Sequence, residues 1–183
     1  MAAYRRDAPR HKLPADLDVR PASHDDCAAI AAIEASRDSV DVSQALRWCE
    51  KEVSDAGMLL LVAAVDGQVI GFGRAARLAR LADAPPDAVP EGWYLLGVVV
   101  VDAWRRRGVG RVLTERRLAW IAQRGDAAYY FTNARNGASL DLHRALGFVE
   151  VTRRFSAPRI TFDGGEGVLS RIDLAGARRA EPI

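Results

Sequence analysis

The sequence predicts a mixed α/β domain, on three observations. A length of 183 residues fits one domain. Two long apolar runs, Met58–Val65 and Tyr94–Val101, have the length and composition of buried strands. Other segments place apolar residues at helical spacing. The resulting order, β-α-α-β-β-β-α-β-α-β-β, indicates a mixed sheet with helices on both of its faces.

The N-terminal part is predicted to contain a tail, a short strand and two helices. Residues 1–16 are polar and include two prolines, so we expect a loose tail. Leu17–Pro21 alternates like a short strand. Ser23–Asp26 offers N-cap chemistry to the first helix. The second helix is predicted from Ser43 to about Ala56, with Gly57 after its end.

The clearest local prediction is a β-hairpin. Met58–Val65 and Gln68–Gly73 are apolar runs that are separated by the dipeptide Asp66-Gly67. This dipeptide favours a type I′ turn because both of its residues tolerate a positive φ. We therefore expect two antiparallel strands here.

The loop Ala82–Gly92 is rich in proline and acidic residues, and a loop of this length in a compact domain is typical of a functional segment.

On the helix that follows the central strand, the predicted buried side includes Ala119, although Arg116 falls among its apolar residues. The remaining predicted elements are the central strand 94–101, this helix at 108–124, a strand at 127–132, a short helix at 139–146, strands at 148–155 and 168–174, and a frayed tail at 176–183.

Composition excludes several classes of protein. A hydrophobic content of 49% is too high for a disordered chain. The apolar runs are shorter than the ~20 residues that a membrane helix needs, and the charged N-terminus does not read as a secretory signal. Two isolated cysteines, Cys27 and Cys49, form neither a disulfide framework nor a metal-binding pair. We therefore expect a cytoplasmic protein without a membrane partner.

The charges of the chain are nearly balanced. There are 26 Lys and Arg against 24 Asp and Glu, which gives a net charge of +2. A protein that binds DNA concentrates its basic residues on one surface, whereas most arginines here alternate with acids, as in Glu115–Arg117. We therefore expect no nucleic-acid partner. One cluster stands apart and consists of Arg105–Arg107 with Arg111.

This arginine cluster surrounds the turn between the central strand and the next helix, in the pattern Arg105-x-x-Gly108-x-Gly110. The first N–H groups of a helix lack partners inside the helix and carry partial positive charge, so they bind anions. Glycine at both positions removes side chains that would keep a phosphate away. The pattern is neither a Walker A loop nor a dinucleotide-binding GxGxxG. It predicts a pyrophosphate site, with an ordinary glycine-containing helix start as the alternative.

A second motif follows about 25 residues later and runs from Asn136 to Phe148 as NGASLDLHRALGF. Together the two motifs resemble the GCN5-related N-acetyltransferase (GNAT) superfamily, in which Q/R-x-x-G-x-G/A grips the pyrophosphate of acyl-CoA. The resemblance covers Leu95–Val151. It implies the GNAT fold, with a mixed, mostly antiparallel sheet of six or seven strands and about four helices, in one domain over residues 17–175.

The resemblance implies acetyl-CoA as co-substrate and no metal. It places the pyrophosphate on the amides of residues 106–111, and it pairs the strand 98–100 with the pantetheine arm. It also places Asn136 near the cofactor. The cofactor-binding residues implied in this way are Val98, Val99, Val100, Arg105, Arg106, Arg107, Gly108, Val109, Gly110, Arg111, Asn136 and His143.

The resemblance also implies a proton donor at position 143. Many relatives have a tyrosine there, which is proposed to protonate the departing CoA thiolate, and this chain has His143. A free imidazole has a pKa near ~6.5 and a thiol one near ~8.5, so an imidazolium could deliver the proton. The alternative is a histidine that only fills the space of the tyrosine.

The acceptor amine needs a base, because an alkylammonium with a pKa near ~10 is protonated at neutral pH and cannot attack a thioester. Glu91, just before the central strand, is the preferred base, and Glu34 on the first helix is a further candidate. Asp102 is expected to cap the turn. A backbone N–H group within Val98–Val100 is the expected donor to the thioester oxyanion.

The sequence therefore predicts an N-acetyltransferase that moves an acetyl group from acetyl-CoA to a primary amine, in a small molecule, a peptide N-terminus or a lysine. Transfer would be direct, within a ternary complex. Relatives often form dimers, so the resemblance is also compatible with a homodimer. Two alternatives stay open. One is an acyl-CoA-binding sensor or partner module with little or no transferase activity, and the other is a DNA-binding regulator.

Overall fold

The computed structural model describes residues 11–37, 40–157, 160–162 and 164–175. Residues 1–10 and 176–183 of the two predicted tails lie outside the described residues. Short 3-10 turns occupy His24–Asp26 and Asp102–Trp104. The strands and helices are β1 (Asp18–Pro21), α1 (Cys27–Arg37), α2 (Val42–Val53), β2 (Met58–Val65), β3 (Gln68–Leu78), β4 (Gly92–Val100), α3 (Val109–Ala122), β5 (Ala127–Asn133), α4 (Gly137–Ala145), β6 (Val149–Thr152) and β7 (Gly167–Asp173).

The strands form one seven-stranded sheet in the order β1-β2-β3-β4-β5-β7-β6. The pairs β1–β2, β2–β3, β5–β7 and β6–β7 are antiparallel, and β4–β5 is parallel. The prediction of a mixed, mostly antiparallel sheet of six or seven strands with about four helices is therefore confirmed.

The described chain divides into two compact units. The first unit comprises residues 11–76 and 95–117, and the second comprises residues 77–94 and 118–175. Each is described below by itself. The single domain over residues 17–175 stays a prediction.

In the first unit, α1 and α2 pack on the strands of the hairpin. Ile30 of α1, Val62 of β2 and Phe72 of β3 are buried in one cluster with both cysteines. Cys27 and Cys49 are free thiols. Desolvation raises the pKa of both thiols, so they stay protonated and are poor nucleophiles.

The predicted hairpin is confirmed. Asp66 has a φ of 50° and Gly67 a φ of 76°, as a type I′ turn requires, and the strands are in register from Val65 opposite Gln68. Pairing with β2 continues past the predicted end of the second strand, so that β3 extends to Leu78. The predicted strand ended at Gly73 because the apolar run ends there. Hydrogen bonds between strands join backbone groups, so pairing can continue where the side chains are no longer apolar.

In the second unit, β5 pairs along its whole length with β7. The strand predicted at 148–155 is shorter than expected, since β6 spans only Val149–Thr152. Its pairing with β7 shifts register between Glu150 and Thr152. Phe148 lies before the strand and packs edge-to-face on Tyr130, with 5.0 Å between the ring centroids.

The predicted buried side of α3 is wrong at Ala119, which is exposed. Arg116 is exposed too, and Arg117, whose burial was not predicted, is completely buried. The pattern was misleading because the Arg117 guanidinium satisfies its donors on oxygen atoms inside the protein, which allows a charged residue to occupy an interior position.

An ion pair holds the chain where β1 leads into α1. Arg20 donates to both oxygens of the Asp26 carboxylate, at 2.7 and 2.9 Å, and the Ser23 amide donates to the same carboxylate at 2.7 Å. The hydrogen bond from Arg20 is the main reason that the pKa of Asp26 falls from 3.8 to about 2. Asp26 is therefore more stable as a carboxylate in the folded protein than in the unfolded chain.

We expect Asp26→Asn to lower the free energy of unfolding by about 2 kcal/mol near neutral pH, as a depressed carboxyl pKa implies. The contribution of Asp26 is complete above pH 3.8 and is lost as the pH falls through about 2. The difference between wild type and variant should therefore shrink in urea denaturation as the pH is lowered over that range. The exposed neighbour Asp25 provides the control Asp25→Asn, and an equal loss in both variants would contradict this account.

Candidate active site

In the first unit, β4 leads into α3 through the 3-10 turn Asp102–Trp104 and a tight loop. Arg106 has a φ of 64° and Gly108 a φ of 84°. Gly108 adopts this left-handed conformation without strain because it has no Cβ atom. Arg106 adopts it with a side chain, at a cost on the order of 1 kcal/mol. The His11 amide donates to the Arg106 carbonyl at 2.9 Å, so part of the predicted loose tail contacts this loop.

The first turn of α3 presents free donors. Its first backbone hydrogen bonds run from the amides of Arg111 and Val112 to the carbonyl of Gly108, at 3.0 and 3.1 Å. The N–H groups of Val109 and Gly110 precede these bonds and have no carbonyl partner within the helix. They lie at the positive end of the helix dipole, so this turn can bind an anion.

The first turn of α3 lies beside the end of β4. A Cβ atom added to Gly110 would be 3.8 Å from Cγ2 of Val100 and 4.0 Å from Cγ2 of Val98, which is ordinary contact. The structure thus brings together three of the residues predicted to bind the cofactor. Packing does not require glycine at position 110, and a glycine there places no side chain beside the first amides of the helix.

Two of the predicted arginines are engaged with neighbouring groups. Arg105 donates to the Val100 carbonyl at 2.9 Å and pairs with Asp102 at 2.8 Å, so Asp102 is a turn residue as expected. Arg111 pairs with Glu115 at 2.8 Å. These ion pairs are exposed, and such pairs contribute at most about 1 kcal/mol, so a phosphate could displace the carboxylates.

The other two arginines are partly buried. Arg107 lies over the ring of Trp104, with 5.2 Å between its Cζ atom and the ring centroid, and donates to the Ala103 carbonyl at 3.4 Å. The Nε atom of Arg106 is buried. The side chains of the cluster therefore shape the loop, while the first amides of α3 lack a carbonyl partner within the helix.

The first unit also holds a charge cluster, defined by Glu34, Glu52 and Arg74. Arg74 pairs with Glu34 at 2.9 Å and with Glu52 at 2.6 Å, and all three side chains are mostly buried. Two carboxylates share one cation, so the cluster has a surplus negative charge. The Oε2 atom of Glu34 is buried and has no hydrogen-bond partner among the residues that the structure describes. Glu34 was a candidate base from sequence, but nothing in the sequence linked it to residues 18 and 40 positions away.

In the second unit, Asn136 begins α4. Its Oδ1 atom accepts a hydrogen bond from the Ser139 amide at 3.1 Å, which makes it the N-cap of this helix. The predicted helix is confirmed, with bounds shifted to Gly137–Ala145. The cap gives Asn136 a structural role within its own unit.

His143 is buried in the second unit, with 3% of its surface exposed. Its ring stacks on Tyr130 at a centroid distance of 3.6 Å and meets Phe148 edge-to-face at 5.2 Å. The Nδ1 atom lies 2.8 Å from the Ser139 carbonyl oxygen, which can only accept, so Nδ1 carries the proton. The second ring nitrogen, Nε2, is then the atom that can gain or lose a proton.

Glu91 ends the Pro-rich loop of the second unit. Its carboxylate is 47% exposed and pairs with Arg77 at 2.6 Å. The loop itself is tied to Ser156, which accepts from the Val89 amide and donates its own amide to the Asp87 carbonyl, both at 2.9 Å. The arrangement orders the loop but leaves the Glu91 carboxylate in solvent.

Among the described residues, no cluster of three or more His, Cys, Asp or Glu side chains is arranged to hold a metal ion. In the same part of the chain, none of the helices combines the length and the apolar character needed to cross a bilayer.

Comparison with known proteins gives relatives of one kind. An aminoglycoside N(6')-acetyltransferase type 1 from Klebsiella aerogenes is 31% identical over 114 residues, which is 61% of this chain and 72% of the relative. The structure of yncA from Salmonella typhimurium, with its cofactor acetyl-CoA, is 22% identical, has a TM-score of 0.67, and is matched over 87% of this chain and 94% of its own.

A third relative is the aminoglycoside 6'-N-acetyltransferase AAC(6')-Ih from Acinetobacter baumannii, with a TM-score of 0.62 at 22% identity over 75% of this chain and 93% of its own. At such identities the two solved structures show the fold alone. The acetyltransferase (GNAT) family itself matches residues 24–148, which is more than half of the chain. The prediction from the two motifs is thereby confirmed, and the chain belongs to the GNAT family of N-acetyltransferases.

Proposed function

We propose that the protein transfers an acetyl group from acetyl-CoA to a primary amine by direct attack within a ternary complex. The observation that carries the proposal is the first turn of α3, where the amides of Val109 and Gly110 have no carbonyl partner within the helix and packing does not require glycine at position 110. A pyrophosphate bound there would satisfy these donors. Arg105, Arg107 and Arg111 would add charge-assisted hydrogen bonds to its oxygens.

The proposed base is Glu34. Within the described part of the chain its buried Oε2 atom lacks a hydrogen-bond partner, which is costly for a carboxylate, and a donor from the acceptor ammonium would relieve that cost. Glu91, the preferred base from sequence, is less suited because it is half exposed and already paired with Arg77. Arg74 holds the other oxygen of Glu34 and so fixes the direction of the free one.

The proposed proton donor to the departing thiolate is His143, acting through Nε2. Its Nδ1–H group donates to the Ser139 carbonyl, which fixes the ring and leaves Nε2 as the atom that would carry the transferred proton. The stacking of the ring on Tyr130 equally suits a packing role. The variants described below separate the two roles.

The acceptor we propose is a cationic amine. The surplus negative charge of the cluster formed by Glu34, Glu52 and Arg74 favours such a molecule. The Klebsiella aerogenes relative is named for an aminoglycoside. An aminoglycoside is therefore the first class of acceptor to test, followed by polyamines and peptide N-termini.

The test combines calorimetric titration with acetyl-CoA and a thiol-release assay over a panel of these amines. We expect binding, turnover with at least one cationic amine, and a loss of acetyl-CoA affinity of at least about 10-fold in Gly110→Glu, because a carboxylate would face the phosphates. Ala119→Glu adds the same charge to an exposed position of α3 and should change nothing. Binding without turnover would support the sensor alternative, and unchanged affinity in Gly110→Glu would refute the pyrophosphate site.

For His143, we expect His143→Phe to lower kcat on the order of 100-fold while the affinity for acetyl-CoA changes little, since a proton donor acts on the leaving group. His143→Tyr restores the side chain found in many relatives and should recover most of the rate. Steady-state kinetics between pH 6 and 9 provides the measurement. A kcat that is the same in the wild type and His143→Phe at every pH would leave only the packing role.

For the base, we expect Glu34→Gln to lower kcat/KM for the amine on the order of 100-fold at pH 7. The deficit should shrink as the pH approaches ~10, because the free amine then forms in solution. Glu52→Gln is the comparison: it removes the other carboxylate from Arg74 and part of the surplus charge, so it should raise KM for a cationic amine, whereas kcat should stay close to that of the wild type because Glu34 is in place. A larger loss in Glu91→Gln than in Glu34→Gln would return the role to Glu91.

A further inference from the structure

Arg117 is a completely buried arginine with an unusual set of partners. Nε donates to the Leu113 carbonyl at 3.1 Å, and Nη2 donates to the hydroxyl of Thr114 at 3.0 Å. Nη1 donates to the Arg74 carbonyl of β3 at 2.9 Å and to the Gly97 carbonyl of β4 at 2.7 Å. Within the part of the chain that the structure describes, no carboxylate pairs with this guanidinium.

Burying the Arg117 guanidinium in this way lowers the stability of the folded protein. A buried cation without a counter-ion loses its hydration and recovers only hydrogen bonds, and an apolar residue of similar volume would often be more stable. Burial lowers the pKa of Arg117 to about 9, so the guanidinium is still protonated at neutral pH. The cation must therefore supply something that an apolar side chain cannot, and its directional hydrogen bonds to β3 and β4 are what distinguish it.

One of those bonds fixes an irregularity in β4. Gly97 has a φ of 69°, a left-handed conformation within a strand. Its carbonyl group is turned toward Nη1 of Arg117. Gly73 on β3 makes room for the guanidinium, since a Cβ atom there would be 2.9 Å from Cζ of Arg117. The two glycines and the arginine together form one packed arrangement inside the first unit.

The peptide that joins Gly97 to Val98 also fixes the direction of the Val98 N–H group. A trans peptide is planar, and its C=O and N–H groups are antiparallel, so the Val98 N–H is directed away from Arg117. The register of β4 against β3 leads to the same direction for the Val98 N–H group. The Val101 amide donates to the Ile70 carbonyl at 2.9 Å, and the Val99 carbonyl lies against Gly71, so odd-numbered residues at this end of β4 face β3. The N–H of Val98 belongs to the opposite edge of the strand.

We propose that Arg117 is a positioning residue for acetyl transfer, which holds the Gly97–Val98 peptide so that the Val98 N–H donates to the carbonyl oxygen of the thioester. The inference rests on the proposed function. In the step concerned, the amine nitrogen forms a bond to the thioester carbon, and the C=O electron pair moves to the oxygen. That pair then returns, the C–S bond breaks and the CoA thiolate leaves, while the amine proton passes to the base. Val98 stabilises the oxyanion, and Arg117 acts only through the peptide.

The test uses Arg117→Met, with Arg117→Lys as the conservative variant. We expect kcat to fall on the order of 100-fold in Arg117→Met, as for the loss of one oxyanion donor, while Kd for acetyl-CoA changes less than about 3-fold. Lysine keeps the charge but cannot reach all four oxygens, so its kcat should be intermediate. Leu113→Ala removes only apolar atoms from the same helix and should lower Tm with little effect on kcat.

A second readout is independent of turnover. The infrared carbonyl band of bound acetyl-CoA, isolated with a ¹³C label and without amine, should shift to lower frequency in the wild type, lose that shift in Arg117→Met and keep part of it in Arg117→Lys. A folded Arg117→Met with wild-type kcat and band position would overturn the inference alone, and Arg117→Lys carries the same test if the methionine variant does not fold. A wild type that binds no acetyl-CoA would overturn the proposed function and this inference with it.

Discussion

The Gly97 and Arg74 carbonyls converge on a single nitrogen of Arg117, and this contact joins two strands and a helix of the first unit. From there β4 runs to its end at Val100, and the chain must reverse within a few residues to start α3. The first amides of that helix lie beside the end of β4, because Gly110 is next to Val98 and Val100. The strand irregularity at Gly97 and the proposed anion site are thus close together in one segment of the chain.

The first unit keeps two buried arginines by different means. Arg74 has two carboxylate partners, which leaves excess negative charge and one unsatisfied oxygen on Glu34. Arg117 has none among the described residues and relies on neutral oxygens. An ion pair with surplus charge is suited to attract a cationic ligand, whereas hydrogen bonds to carbonyls are suited to hold a backbone in place. Both arrangements sacrifice stability that an apolar core would have kept.

What could be predicted from the sequence was local. The Asp66-Gly67 turn and the start of α3 directly after Gly108 follow from short patterns, because turn and cap chemistry act over a few residues. The charge cluster could not be predicted, since Glu34, Glu52 and Arg74 come from three separate elements. Burial of Arg117 contradicted its residue type, and only the positions of carbonyls from β3 and β4 explain it.

The hydrogen bond from the His11 amide to the Arg106 carbonyl links two distant parts of the sequence. It joins the segment before β1 to a loop almost a hundred residues later, and Leu13 lies against Gly108 of that same loop. A proteolytic cut near His11, or a proline in its place, would remove this support from residue 106 and from the start of α3. If acetyl-CoA binds there as proposed, its affinity would then depend on the segment before β1.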